Sequence, residues 1–95
     1  MSKIGLEIKT DGSVNQVEWN DYKDIQKYVG GYFEEIPVDD VMICLNEDGL
    51  SNNLEYNKLA TGILLPITGY PAVGNVFVTG KPSHLKLFQE KYELD

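Results

Sequence analysis

Cysteine and histidine occur once each, at Cys44 and His84, so nucleophilic or metal chemistry has to start from these two positions. Cys44 lies inside the apolar run Val41-Met42-Ile43-Cys44-Leu45, where a thiol is inert core rather than a nucleophile. Ser83 is adjacent to His84, and neighbours on a helix point in different directions, so the two do not make a serine–histidine pair. A single cysteine and a single histidine do not make a tetrahedral zinc set. The stretch from Cys44 to Glu55 partly follows a calcium loop, with Asn46, Asp48, Gly49 and Glu55 at the third, fifth, sixth and twelfth positions. Its first position holds Cys44 where aspartate is needed, and a strand-like segment precedes it, so a turn explains Asn46 to Gly49 without a metal. Gly80-Lys81 resembles the end of a phosphate loop. The register puts Asn75 where the first glycine belongs and Pro82 where a serine or threonine belongs, so the match fails. No catalytic residues, metal site or cofactor are therefore assigned.

Three carboxylate pairs remain: Glu34-Glu35, Asp39-Asp40 and Glu47-Asp48. Adjacent carboxylates at strand ends could split in pKa and do acid–base work. No spacing selects a pocket for them, and solvated charges at turns and sheet edges account for all three. Tyrosine and asparagine give the stronger signal. Six tyrosines and one tryptophan occur, and Tyr32, Tyr56 and Tyr70 stand beside glycine, asparagine or proline, as flat contact surfaces with a polar tip do at interfaces. Asn57 is placed to cap a helical turn whose N-terminus, with Lys58 beside it, suits an anion. The candidate ligand- or partner-binding set is Tyr32, Asn53, Tyr56, Asn57, Lys58, Thr61 and Tyr70. Its structural counterpart is a polar loop over core tyrosines.

Fifteen acidic residues face eight basic ones, giving a net charge of −7, and every base is lysine. Such a field repels phosphates, and the absence of arginine removes bidentate phosphate and guanine contacts. Direct nucleic-acid binding is thereby disfavoured, whereas a basic protein partner or mimicry of DNA charge is allowed. Solubility alone also accounts for the acidity. The lone cysteine and the lack of a signal-like or membrane-spanning apolar run point to a soluble protein of a reducing cytoplasm without a membrane partner.

The elements that must position these residues read as follows. Lys3 to Lys9 alternates apolar and polar residues, Asp11-Gly12 turns, and Val14 to Trp19 returns as the hairpin partner. Asn20 caps a helix from Asp21 to about Val29 with Tyr22, Ile25 and Val29 as its buried stripe, and Gly30-Gly31 ends it. Tyr32 to Val38 is a strand or extended segment carrying Pro37, and it should lie at a sheet edge or end early. Asp39-Asp40 turns into Val41 to Leu45, which is apolar on both faces and reads as the central strand. Lys58 to Thr61 is expected to form one short helical turn stopped by Gly62. Val73 to Thr79 is a final strand with Val76 and Val78 on one face and Phe77 on the other. Pro82 opens a C-terminal helix whose stripe is Leu85, Phe88 and Tyr92. The expectation is a single α+β domain over residues 1–95, a small, mostly antiparallel sheet with two main helices and one short helical turn. A chain of this length buries only about 60–65% of its unfolded surface, so a homo-oligomer, a dimer or higher, is expected.

The order of segments carries a resemblance. A helix runs into Val29-Gly30-Gly31-Tyr32-Phe33-Glu34, then come Ile36-Pro37, a hydrophobic strand into Asn46-Glu47-Asp48-Gly49, Tyr56 to Thr61, and Val73 to Gly80. Over residues 14–80 this resembles a short domain-of-unknown-function family recurrent in bacteriophages, prophages and mobile elements. The resemblance implies an accessory role inside a bacterial host and brings no catalytic residues with it. The shared Gly30, Gly31, Asn57, Ala60, Thr61 and Gly74 all have structural readings as stops, caps and close contacts. Three functions follow: a non-enzymatic accessory protein that binds a host factor, including inhibition of a defence system; an oligomeric module sequestering a small nucleotide-like ligand; and an acidic DNA mimic.

Overall fold

The strand and helix signals assemble around one antiparallel sheet. The computed structural model describes residues 2–94. In chain order the elements are β1 (Lys3–Ile8), β2 (Val14–Trp19), α1 (Tyr22–Val29), β3 (Phe33–Val38), β4 (Val41–Asn46), α2 (Lys58–Thr68), β5 (Val76–Thr79) and α3 (Pro82–Lys91). The strand order is β2-β1-β5-β4-β3, and every pairing is antiparallel. β1 and β2, and likewise β3 and β4, are sequence-adjacent hairpins. β5 arrives late and zips the two hairpins together.

Alternation along the strands gives the sheet two apolar faces. Leu6, Ile8, Ile43, Val76 and Val78 face Ala60, Ile63 and Leu64 of α2 and Leu85 and Phe88 of α3. Cys44 and Phe77 face Ile25 and Val29 of α1. The result is three layers, one helix over one face and two over the other. Phe77 is the centre of the thinner side. Its ring stacks on Tyr28 with centroids 4.7 Å apart and meets Trp19 edge-on at 6.2 Å.

α2 departs most from the sequence reading. It is not a short turn stopped by Gly62 but an eleven-residue helix that runs through Gly62 and Pro66 to Gly69. Glycine costs a helix interior about 1 kcal/mol relative to alanine, which burial of Ala60, Ile63 and Leu64 against the sheet outweighs. Pro66 lies in the last turn and removes only the bond to the carbonyl of Gly62, a residue exposed to water. Termination comes at Gly69, whose φ of 80° is left-handed and whose N–H donates to the Leu65 carbonyl.

Smaller corrections have equally local causes. The cap of α1 is Asp21 rather than Asn20. The Asp21 carboxylate accepts from the Lys23 N–H at 3.0 Å, while the Asn20 N–H donates to Asp24 at 2.7 Å. Tyr22, the first residue of α1, does not join the buried stripe and is exposed, which leaves Ile25 and Val29 as its buried residues. β4 is interior, but β5 takes the middle of the sheet, and β5 begins at Val76 rather than Val73.

β3 is an edge strand, as its proline requires. The Glu47 N–H donates to the Tyr32 carbonyl at 3.0 Å. Antiparallel alternation then turns the backbone groups of Phe33, Glu35 and Pro37 outward. The N–H that Pro37 lacks would have pointed away from the ladder.

Candidate functional site

Two members of the expected binding set are used up inside the fold. Asn57 has 0% of its surface exposed. Its Nδ2 donates to the carbonyls of Ile8 and Gly74, each at 2.9 Å, and its Oδ1 accepts from the Ala60 N–H at 3.0 Å. Thr61 is buried as well, its Oγ1 accepting from the Ala72 N–H at 2.8 Å and donating to the Ala72 carbonyl at 3.2 Å. These bonds clamp β1, the start of α2 and the chain at Ala72 to Gly74 to one another. A buried amide must be satisfied, and these backbone groups are its partners. Asn57 and Thr61 therefore do not face a ligand, and the helix N-terminus beside Lys58 is capped by Asn57 itself.

The remaining five candidates, Tyr32, Asn53, Tyr56, Lys58 and Tyr70, are exposed. Asn53 takes φ +54° in the turn that follows β4. Tyr56 forms an isolated bridge with Val73. Of the seven, Tyr70 lines an apolar groove. This is a groove of about 260 Å³ between the start of β3, the end of β4 and the C-terminal half of α2. Ile36, Leu45, Leu64 and Val73 give it an apolar lining, Glu34 and Glu47 supply carboxylates, and Leu50 and Tyr70 stand at its mouth. Leu50 is 60% exposed and Tyr70 67%.

Local hydrogen bonds set both lips. The Asn46 Oδ1 accepts from the Asp48 N–H at 2.8 Å, and its Nδ2 donates to the Val29 carbonyl at 3.2 Å. That side chain ties the turn carrying Glu47 and Leu50 to the end of α1. A Cβ on Gly31, whose φ is 157°, would come within 3.1 Å of the same Asn46 Nδ2, so the glycine pair both ends α1 and makes room for this tie. On the opposite lip, the Thr68 hydroxyl accepts from the Tyr70 N–H and donates to the Tyr70 carbonyl, both at 3.1 Å. Sequence reading missed Leu50, which is the one large apolar residue in a polar turn. It read Glu34 and Glu47 as solvated charges, and both are exposed, but it gave no sign that the fold brings them to one groove. Asp39 and Asp40 lie at the other end of the β3–β4 hairpin, where Asp39 pairs with Lys91 at 2.9 Å.

The other chemistry-bearing residues have structural surroundings. The Glu55 carboxylate accepts from the Thr10 hydroxyl at 2.9 Å, and Cys44 faces the α1 side of the sheet. The calcium-like stretch is thus spread over different partners. Among the described residues no group of three or more His, Cys, Asp or Glu side chains comes together.

Burial pushes the Cys44 thiol up to about 12 from its ordinary 9.0, with the nearby Glu35 carboxylate adding to the effect. We expect the native protein to resist a thiol-specific disulfide reagent at pH 8, with labelling only at the rate of opening. Labelling at the rate of a free peptide thiol would show the site to be accessible. The linkage has a definite sign. The unfolded thiol ionises near pH 9 while the folded one stays protonated, so this group erodes stability as pH rises above about 9. Denaturant midpoints for wild type and Cys44→Ala between pH 8 and 10.5 would read that difference.

Residues 3–90 match the family described as "Domain of unknown function (DUF3846)". That span takes in every strand, α1 and α2, and all but the last residue of α3. No curated protein and no solved structure matches the chain. Among the described residues no helix is long and apolar enough to cross a membrane.

Proposed function

This chain belongs to the DUF3846 family, and we propose that it acts as a non-enzymatic accessory protein that binds another protein through the groove between β3, β4 and α2. The observation that carries this reading is the open apolar groove with Leu50 and Tyr70 exposed at its mouth. An exposed apolar rim around an apolar floor is what an interaction surface needs, because its burial supplies the driving force for association. The lining offers two carboxylates but no histidine, cysteine or lysine to work against them, which favours binding over acid–base catalysis. The resemblance to proteins of bacteriophages, prophages and mobile elements directs the partner toward a host protein of the bacterial cytoplasm, with inhibition of a defence factor as the outcome.

Native mass spectrometry of the protein purified gently from a bacterial host tests this reading. The expected spectrum contains the chain, as monomer or homo-oligomer, with a host protein bound. The Leu50→Asp variant should lose that protein while melting within a few degrees of wild type, since Leu50 is exposed. A small-molecule adduct in its place, released on denaturation, would overturn protein binding in favour of ligand sequestration.

A further inference from the structure

Resting on the reading of the groove as a protein-binding surface, we infer that its occupant is an extended segment of the partner in which lysine or arginine flanks aliphatic side chains. Three observations converge on that chemistry. The first is charge. Glu34 and Glu47 are the charged lining residues, both negative, on a chain whose net charge is −7. An acidic segment would meet repulsion from both, while a basic one is attracted at long range and held at the rim.

The second is size. About 260 Å³ falls below the roughly 300–1,000 Å³ typical of pockets that engulf a whole small molecule. It suits one or two aliphatic side chains projecting from a chain that lies across the opening. The apolar contacts come from Ile36, Leu45, Leu64 and Val73, which leaves the carboxylates free for the segment's cations.

The third is the neighbouring edge. Glu34 and Ile36 belong to β3, the last strand of the sheet. The outward backbone groups of this strand are those of Phe33 and Glu35, together with the carbonyl of Pro37. An extended segment can pair with Phe33 and Glu35 and send alternate side chains toward the groove. Pro37 supplies no donor further along, so pairing is confined to the groove end of the strand. A helical occupant would use none of these backbone groups.

The test uses three synthetic peptides of equal length, titrated into isotope-labelled protein and followed by amide NMR. One carries lysines flanking two leucines, the second has glutamate for each lysine, and the third has glycine for each leucine. The lysine–leucine peptide should shift Leu50 and Tyr70 saturably and slow amide exchange at Phe33 and Glu35. Both other peptides should bind at least about tenfold more weakly, and so should the lysine–leucine peptide to a Glu34→Lys, Glu47→Lys double variant. Equal binding of the glutamate peptide would overturn the charge selection while leaving the groove as a protein site. Groove shifts without protection at Phe33 and Glu35 would overturn the extended, edge-paired mode. No groove shifts with any peptide would overturn the proposal. The host-protein complex and its sensitivity to Leu50→Asp would still decide the broader reading independently.

Discussion

Asn57→Ala should lower stability by about 3–5 kcal/mol and the melting temperature by roughly 15–30 °C. The substitution removes both donors and the acceptor of a side chain with no exposed surface. Three backbone groups, the carbonyls of Ile8 and Gly74 and the N–H of Ala60, then lose that partner in a buried setting. Each such loss costs about 1–3 kcal/mol, because the group forfeits a partner without gaining water. The helix cap of α2 goes with it. Lys58→Ala, at the exposed next position, should change stability by no more than about 0.5 kcal/mol.

Asn57→Asp sharpens the test. It retains the acceptor for Ala60 but replaces the two donors with a buried acid. Burial raises the folded pKa of that acid above the unfolded value of about 3.9, so the variant should lose stability as pH rises through that value. Thermal melts of the three variants at pH 4 and pH 7 decide the matter. A melting temperature for Asn57→Ala within a few degrees of wild type would show that the clamp is dispensable, returning Asn57 to consideration as a binding residue.

The second large effect is expected at Gly5. A Cβ there would lie 2.4 Å from Cζ and 2.8 Å from Cε2 of Phe77. Carbon atoms in contact stand about 3.5–4.0 Å apart, so the ring or the strand has to move. The ring is held by the stack on Tyr28 and the edge contact with Trp19. Gly5 itself is pinned between β2 and β5, opposite Val17 and Thr79. Gly5→Ala should therefore cost about 2–3 kcal/mol by overpacking. In a Phe77→Leu background the same change should cost less than about 1 kcal/mol, because the shorter side chain gives up the contested space. The coupling energy from denaturant unfolding of the four proteins is the readout. Additive effects would place the origin of the Gly5 requirement in the strand rather than in the ring.

Most of the fold was legible because its signals are local. Alternation at Ile4, Leu6 and Ile8, the Asp11-Gly12 turn, the Gly30-Gly31 stop and Pro82 at a helix start each depend on a few neighbouring residues. Pro37 went further and confined its segment to an edge or an early end, since a missing N–H is tolerated only where no neighbouring strand needs it, and the strand order makes it an edge. The length of α2 was not legible. Gly62 and Pro66 are honest stop signals, and only the sheet beneath Ala60, Ile63 and Leu64 outweighs them. The order of the strands was also hidden. β5 pairs with β1 and β4, which are far from it in sequence and from each other, and local patterning carries no record of such pairings.

The site divides the same way. Sequence by itself determined an acidic, arginine-free chain whose single cysteine sits in an apolar run, and so narrowed the chemistry before any coordinates. It identified Asn57 as a helix cap but also counted it among the binding residues, where the fold turns the whole amide inward. Tertiary structure alone decided that Asn57 and Thr61 turn inward, that Leu50 and Tyr70 meet at one groove, and that Glu34 and Glu47 share its lining. The physical reason is that types and spacings specify what a side chain can do, whereas direction and company arise when distant segments compete for the same buried space. Asn57 is the clearest case, since the carbonyls of Ile8 and Gly74 that claim it belong to segments on either side of it in the chain.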